Sequence, residues 1–227
     1  MGRFENFYNG AIQHPWLLWL ALAIGLWFVW RRDDLHPSLR RTLYGLGVLS
    51  FVDAWWTSAH VYGVGTLEAP WSSWVPLFFV LAGDFRYLLL VCAGTLVGGI
   101  APTGKTVAAA LGWTLLVPAF SQGVLAVLPE SMAGSRTLFF VYEVAFFVLA
   151  ACLLTWHKNC QAVYWLRSVS LFVMLYYGLW AGVDAFLLAT GSDVGFALRM
   201  LPNWLYYGGL IGAIAWMAPA VPTDPPR

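Results

Sequence analysis

Two opposite charges, Asp84 and Arg86, stand inside the apolar run Leu81-Ala82-Gly83-Asp84-Phe85-Arg86-Tyr87-Leu88-Leu89-Leu90-Val91. A carboxylate in such a setting can exchange a proton or hold a cation, and a nearby guanidinium can set its charge state. A charge at the centre of a bilayer costs about 2.5–3.5 kcal/mol on the insertion scale. Such a residue persists when it is paired, faces water or carries a proton. On a helix the two side chains point about 200° apart. They are therefore expected to reach different neighbouring helices and not each other.

Other chemistry-bearing residues share the apolar runs. Asp53 and His60, seven residues apart, fall on one helical face. Glu143, Asp184 and Arg199 lie nearer the ends of later runs. Pairing Arg86 with Asp53, and Arg199 with Asp184, would neutralise four charges as plain helix packing. Asp84, Glu143 and His60 would remain, which is more than packing needs. The candidate proton or substrate sites are thus Asp53, His60, Asp84, Arg86, Glu143 and Asp184. Tyr142 and Tyr206 belong to the same aromatic company. Trp55, Trp56, Tyr176, Tyr177, Trp180, Asn203 and Tyr207 are expected to line a polar chamber open to the outer side. An acid among such rings suits an organic cation, or a flat apolar molecule with one polar handle.

The elements that position these residues follow from composition. Of 227 residues, 60% are hydrophobic and 10% charged, whereas soluble domains carry about 25% charged residues. A chain so poor in charge cannot cover a globule with solvated side chains, so an all-α polytopic membrane protein is expected. Seven runs reach membrane length, at about 16–30, 42–63, 73–98, 106–128, 137–156, 166–190 and 197–218, forming one domain over 1–227. Pro118 should kink the fourth. Arg31, Arg32, Arg40, Arg41, Lys105, Lys158, Arg167 and Arg227 fall on one side of these spans, against Arg3, Arg136 and Arg199 on the other. The positive-inside rule then sets the N-terminus outside and the C-terminus in the cytoplasm. The first run lacks the basic start and small-residue cleavage site of a secretory signal. A bacterial inner membrane is the expected location.

At an offset of 126 residues, Trp30 meets Trp156, Arg41 meets Arg167, Pro76 meets Pro202 and Gly83 meets Gly209. With the fourth helix as a linker, this resembles the 3+1+3 plan of PQ-loop and SWEET-type carriers. The likeness is architectural: identities are few, and no Pro-Gln pair marks the first or fifth helix.

Several chemistries fail on residue placement. Gly99-Ile100-Ala101-Pro102-Thr103-Gly104-Lys105-Thr106 fits the phosphate-loop spacing. It joins two apolar runs with no strand before it, so a short turn is expected and nucleotide binding is not. Retinal needs a lysine within a helix, and Lys105 and Lys158 both fall in loops. Four scattered histidines offer no pair for haem. Cys92, Cys152 and Cys160 form neither a disulfide framework nor a zinc motif. No cofactor, metal or nucleic-acid partner is expected. The expected partners are the lipid bilayer and a small organic or lipid-like ligand.

Three functions fit these observations. A carrier would use mid-membrane acids as coupling or substrate sites. An intramembrane enzyme would do acid–base chemistry on a lipid, isoprenoid, carotenoid or sterol-like substrate, with His60 beside Asp53 or Glu143. A non-catalytic receptor or complex subunit would use the aromatic faces as partner surfaces. The carrier or ligand-binding reading is favoured.

Overall fold

A computed structural model of the protein describes residues 2–56 and 71–221, leaving aside the side chains of 71–74 and 76. Among these residues every regular element is helical. The chain runs through α1 (Arg3–Tyr8), a π turn Ile12–Leu17, α2 (Leu18–Arg31), α3 (Pro37–Trp56), α4 (Trp71–Ala93) and α5 (Gly104–Val127). It continues with α6 (Ser135–Trp156), α7 (Lys158–Ala162), α8 (Tyr164–Thr190), α9 (Val194–Trp204), a second π turn Leu205–Gly209 and α10 (Leu210–Met217). Four described stretches are long and apolar enough to cross a membrane: Ile12–Arg31, Gly104–Val127, Ser135–Trp156 and Tyr164–Thr190.

The apolar residues are distributed for a lipid surround. In α2, Leu18, Leu22, Gly25 and Val29 face inward. The opposite face carries Leu20, Ile24, Trp27 and Trp30, all exposed, in line with Trp16 of the preceding π turn. A helix apolar on every side has no solvated face, as expected where lipid replaces water. Between helices in lipid, close packing and hydrogen bonds supply the attraction that water supplies elsewhere. The central helix is α8, which buries residues at three- and four-residue intervals from Trp165 to Leu187 and ends at Gly191 in the left-handed conformation. It lies along α6, where Phe146 stacks on Tyr177 with ring centroids 4.3 Å apart. At the α2 contact with the second π turn, a Cβ on Gly25 would fall 2.2 Å from the Gly208 carbonyl oxygen. Only glycines allow backbones to meet so closely.

The helix limits differ from expectation where side chains compete with the backbone. The run 73–98 stops at Ala93. Thr95 then folds the chain back: its hydroxyl accepts from the Gly99 amide at 3.0 Å, and Gly98 takes φ +75°. Gly94 and Ile100 form an antiparallel bridge across this turn. The phosphate-loop lookalike is thus a bridge, a turn and a helix cap, with Thr103 accepting from the Thr106 amide at 3.2 Å. α3 begins at Pro37, earlier than expected, because proline suits the first helical position. α5 passes through Pro118 as one helix. The last run divides into α9, a π turn and α10, so it is not one uniform helix.

Near the ends of α2 and α10, Arg32 ties the bundle together. It donates to the carbonyls of Ala215 (2.9 Å) and Ala218 (3.0 Å), and to Asp34 at 2.6 Å. These are the last carbonyls of α10, which have no partner inside the helix.

Candidate functional site

Asp84 and Arg86 occupy the middle of α4, each only 2% exposed, and they diverge. Asp84 accepts hydrogen bonds from the hydroxyls of Tyr142 on α6 and Tyr177 on α8. Arg86 turns the other way and donates to the Ser50 hydroxyl on α3 and to the Gly83 carbonyl at 3.1 Å. Its guanidinium carbon sits 4.6 Å from the centre of the Tyr206 ring. That ring is delivered by the π turn, which re-aims Tyr206 and Tyr207 within an otherwise helical run. Gly83 makes room for it: a Cβ there would lie 1.4 Å from the Tyr206 hydroxyl. Asp53, one helical turn beyond Ser50, is an electrostatic neighbour of Arg86 and takes a hydrogen bond from Tyr207.

Two carboxylates against one guanidinium leave this mid-bundle set with one excess negative charge when all three are ionised. Such a set has room for one proton or one monovalent cation. Neutral hydroxyls solvate the charges here.

A second cluster lies toward the end where α6 begins and α8 finishes. Arg199 on α9 pairs with Asp184 on α8 and, at 3.4 Å, with Glu143 on α6. Arg136 reaches Asp184 at 3.4 Å and covers the Phe196 ring at 5.3 Å. Two acids and two arginines balance. Glu143 immediately follows Tyr142, so α6 serves both clusters from adjacent positions.

The structure brings Tyr176, Tyr177, Trp180 and Tyr206 together, with ring centroids 4.9–6.0 Å apart. Trp180 donates to Asn203 at 2.9 Å, and Asn203 donates to the Tyr8 hydroxyl at 3.1 Å. These rings pack against one another in the interior of the bundle. Trp55 does not join them: that ring is 39% exposed on the outward side of α3, edge-on to Trp56. His60 lies outside the described residues. Two apolar grooves, of about 440 Å³ and 680 Å³, run along α2 with α10 and along α5 with α6. None of the candidate residues lines either groove.

Sequence reasoning missed Ser50, Arg136, Tyr8 and Asp193. Serines on apolar helices are common, and nothing in its neighbours marks Ser50. Tyr8 precedes the first apolar run, where no helix was expected.

Fold and site together describe an all-helical chain with apolar helices suited to a membrane and with buried acidic and aromatic residues. Comparison with protein-family models, curated proteins and solved structures finds no match to this chain.

Proposed function

We propose that the protein crosses a membrane seven times, N-terminus outside, and acts as a small-molecule carrier or ligand-binding protein coupled to a proton. Its working centre is the set Asp84, Tyr142, Tyr177, Arg86 and Asp53. Four spans are the apolar helices named above. The other three, α3, α4 and the α9–α10 run, carry the charges of this set or its second cluster. Such charges are tolerated in a membrane when they face the bundle interior.

The observation that carries this reading is the environment of Asp84. A fully buried carboxyl in mid-helix is held by two tyrosine hydroxyls, although an arginine stands two residues away. If burial and neutralisation were the sole requirement, pairing with a guanidinium would serve better, as it does for Asp184. Hydroxyl partners serve both the ionised carboxylate and the protonated acid, because they can donate or accept. A ligand-coupled site that changes charge during its cycle needs that tolerance.

Native mass spectrometry with lipid analysis of gently purified protein tests the proposal, comparing wild type with Asp84→Asn. A specific small molecule should accompany the wild type and be lost from the variant at equal folded yield. The same bulk phospholipid on both proteins would overturn it.

A further inference from the structure

The packed aromatic rings surround the mid-bundle set, and a line of contacts joins them to one short element. That element is α1. The carboxylate of Asp193, in the turn between α8 and α9, accepts hydrogen bonds from the backbone amides of Phe4 and Glu5, both at 2.9 Å. Asp193 sits where a helix cap for α9 would, yet it makes no cap bond to α9. Its carboxylate satisfies the free amides of α1 instead. At the other end of α1, the Tyr8 ring packs against Phe196 at 5.8 Å and His14 at 5.5 Å.

From Tyr8 the contacts continue inward without a break. Its hydroxyl takes the Asn203 amide, Asn203 takes the Trp180 indole N–H, and Trp180 packs on Tyr177 at 5.5 Å. Tyr177 holds Asp84. Trp180 also meets Tyr206 at 5.3 Å, the ring that carries Arg86. No residue of α1 is buried. The element is therefore held by a few polar contacts and the half-buried rings of Phe7 and Tyr8, with no fully buried side chain. Elements of that kind open at low free-energy cost.

The geometry points to α1 as a plug over the Asp84–Arg86 site: when it leaves Asp193, the Tyr8–Asn203–Trp180 column is freed and water gains a route to Asp84. This rests on the proposed function only in assigning the route a purpose. The plug itself is a statement about access.

Access is measured with a water-soluble carbodiimide and an amine, with the extent of labelling at each carboxyl read by peptide mass spectrometry. Wild type, Asp193→Ala and Tyr8→Ala are compared. Asp34, at the opposite end, serves as a half-exposed reference, and the buried Cys160 thiol reports loss of fold. Asp84 labelling should be slow in wild type. It should rise at least about tenfold in both variants, since Asp193→Ala removes two charge-assisted hydrogen bonds and Tyr8→Ala removes a neutral one together with the ring packing. Asp34 labelling should not change and Cys160 should stay unreactive. If a variant exposes Cys160, the milder Tyr8→Phe carries the test, with a smaller rise expected at Asp84. Unchanged Asp84 labelling in folded variants overturns the plug. A rise there, with no ligand lost in Asp84→Asn, would keep the plug and remove the carrier reading.

Discussion

The two buried charge clusters solve the same physical problem differently. Around Arg199, opposite charges touch: Arg199 meets Asp184 and Glu143, and Arg136 adds a second cation to Asp184. Around Asp84 and Arg86 they do not, although only one residue separates them. Each charge is wrapped in hydroxyls and aromatic rings from other helices. Direct pairing fixes geometry and balances charge, which is what bracing three helices requires. Hydroxyl solvation leaves a charge free to change, and the excess of one acid gives that change a direction. The first cluster reads as structure, and the second is the one we propose as the working site.

That contrast makes ordered claims. The largest effect should come from Arg199→Met, which leaves Asp184 and Glu143 buried with reduced compensation. Breaking a buried pair from one side costs about 3–5 kcal/mol, so the melting temperature in lipid nanodiscs should fall steeply. Adding Glu143→Gln and Asp184→Asn should return much of the loss. If Asp84→Asn were equally damaging, the distinction between the clusters would collapse.

Next in size is Gly83→Ala, whose methyl collides with Tyr206. Forcing a group into a packed interior costs about 1–3 kcal/mol, and here the strain should displace the ring beneath Arg86. A variant as stable as the wild type would show that Tyr206 is not held against α4. Smaller again are Tyr142→Phe and Tyr177→Phe, each removing one hydrogen bond to Asp84 at about 1.5 kcal/mol. Because both donors serve the two oxygens of one carboxylate, the double variant should not be additive. Additive melting shifts would mean the two hydroxyls act independently.

The smallest effect belongs to the half-buried arginine lock at the end of α10. The Arg32 hydrogen bond holds the Asp34 carboxyl below its usual range. A lowered native value means its contribution is present above the ordinary carboxylate range, near pH 3.9, and lost as pH falls through the native value. With solvent screening it should be under about 1 kcal/mol. Asp34→Asn should abolish that acid dependence and leave the neutral-pH melting temperature nearly unchanged.

Much of the helical layout was legible because apolar runs of membrane length have few alternatives. The divergence of Asp84 and Arg86 followed from helix geometry alone. What the sequence hid is non-local. Ser50 became a partner of Arg86 because α3 meets α4 at that level. Tyr206 did so because a π turn rotates it by a fraction of a helical step, which no periodicity reveals. Asp193 reads as an ordinary cap for the helix that follows it, and only the folded chain shows it capping α1. The turn after Ala93 was missed because Leu96 and Val97 extend the apolar run, while glycines and the Thr95 hydroxyl end the helix.

The most direct test of the central claim is infrared difference spectroscopy during a pH step, applied to wild type, Asp84→Asn and Asp184→Asn in lipid. A carboxylic-acid carbonyl band that appears and disappears with pH in wild type should vanish in Asp84→Asn and persist in Asp184→Asn. If the band survives in Asp84→Asn, or is lost only in Asp184→Asn, Asp84 is not the group that exchanges the proton and the assignment of roles to the two clusters is wrong.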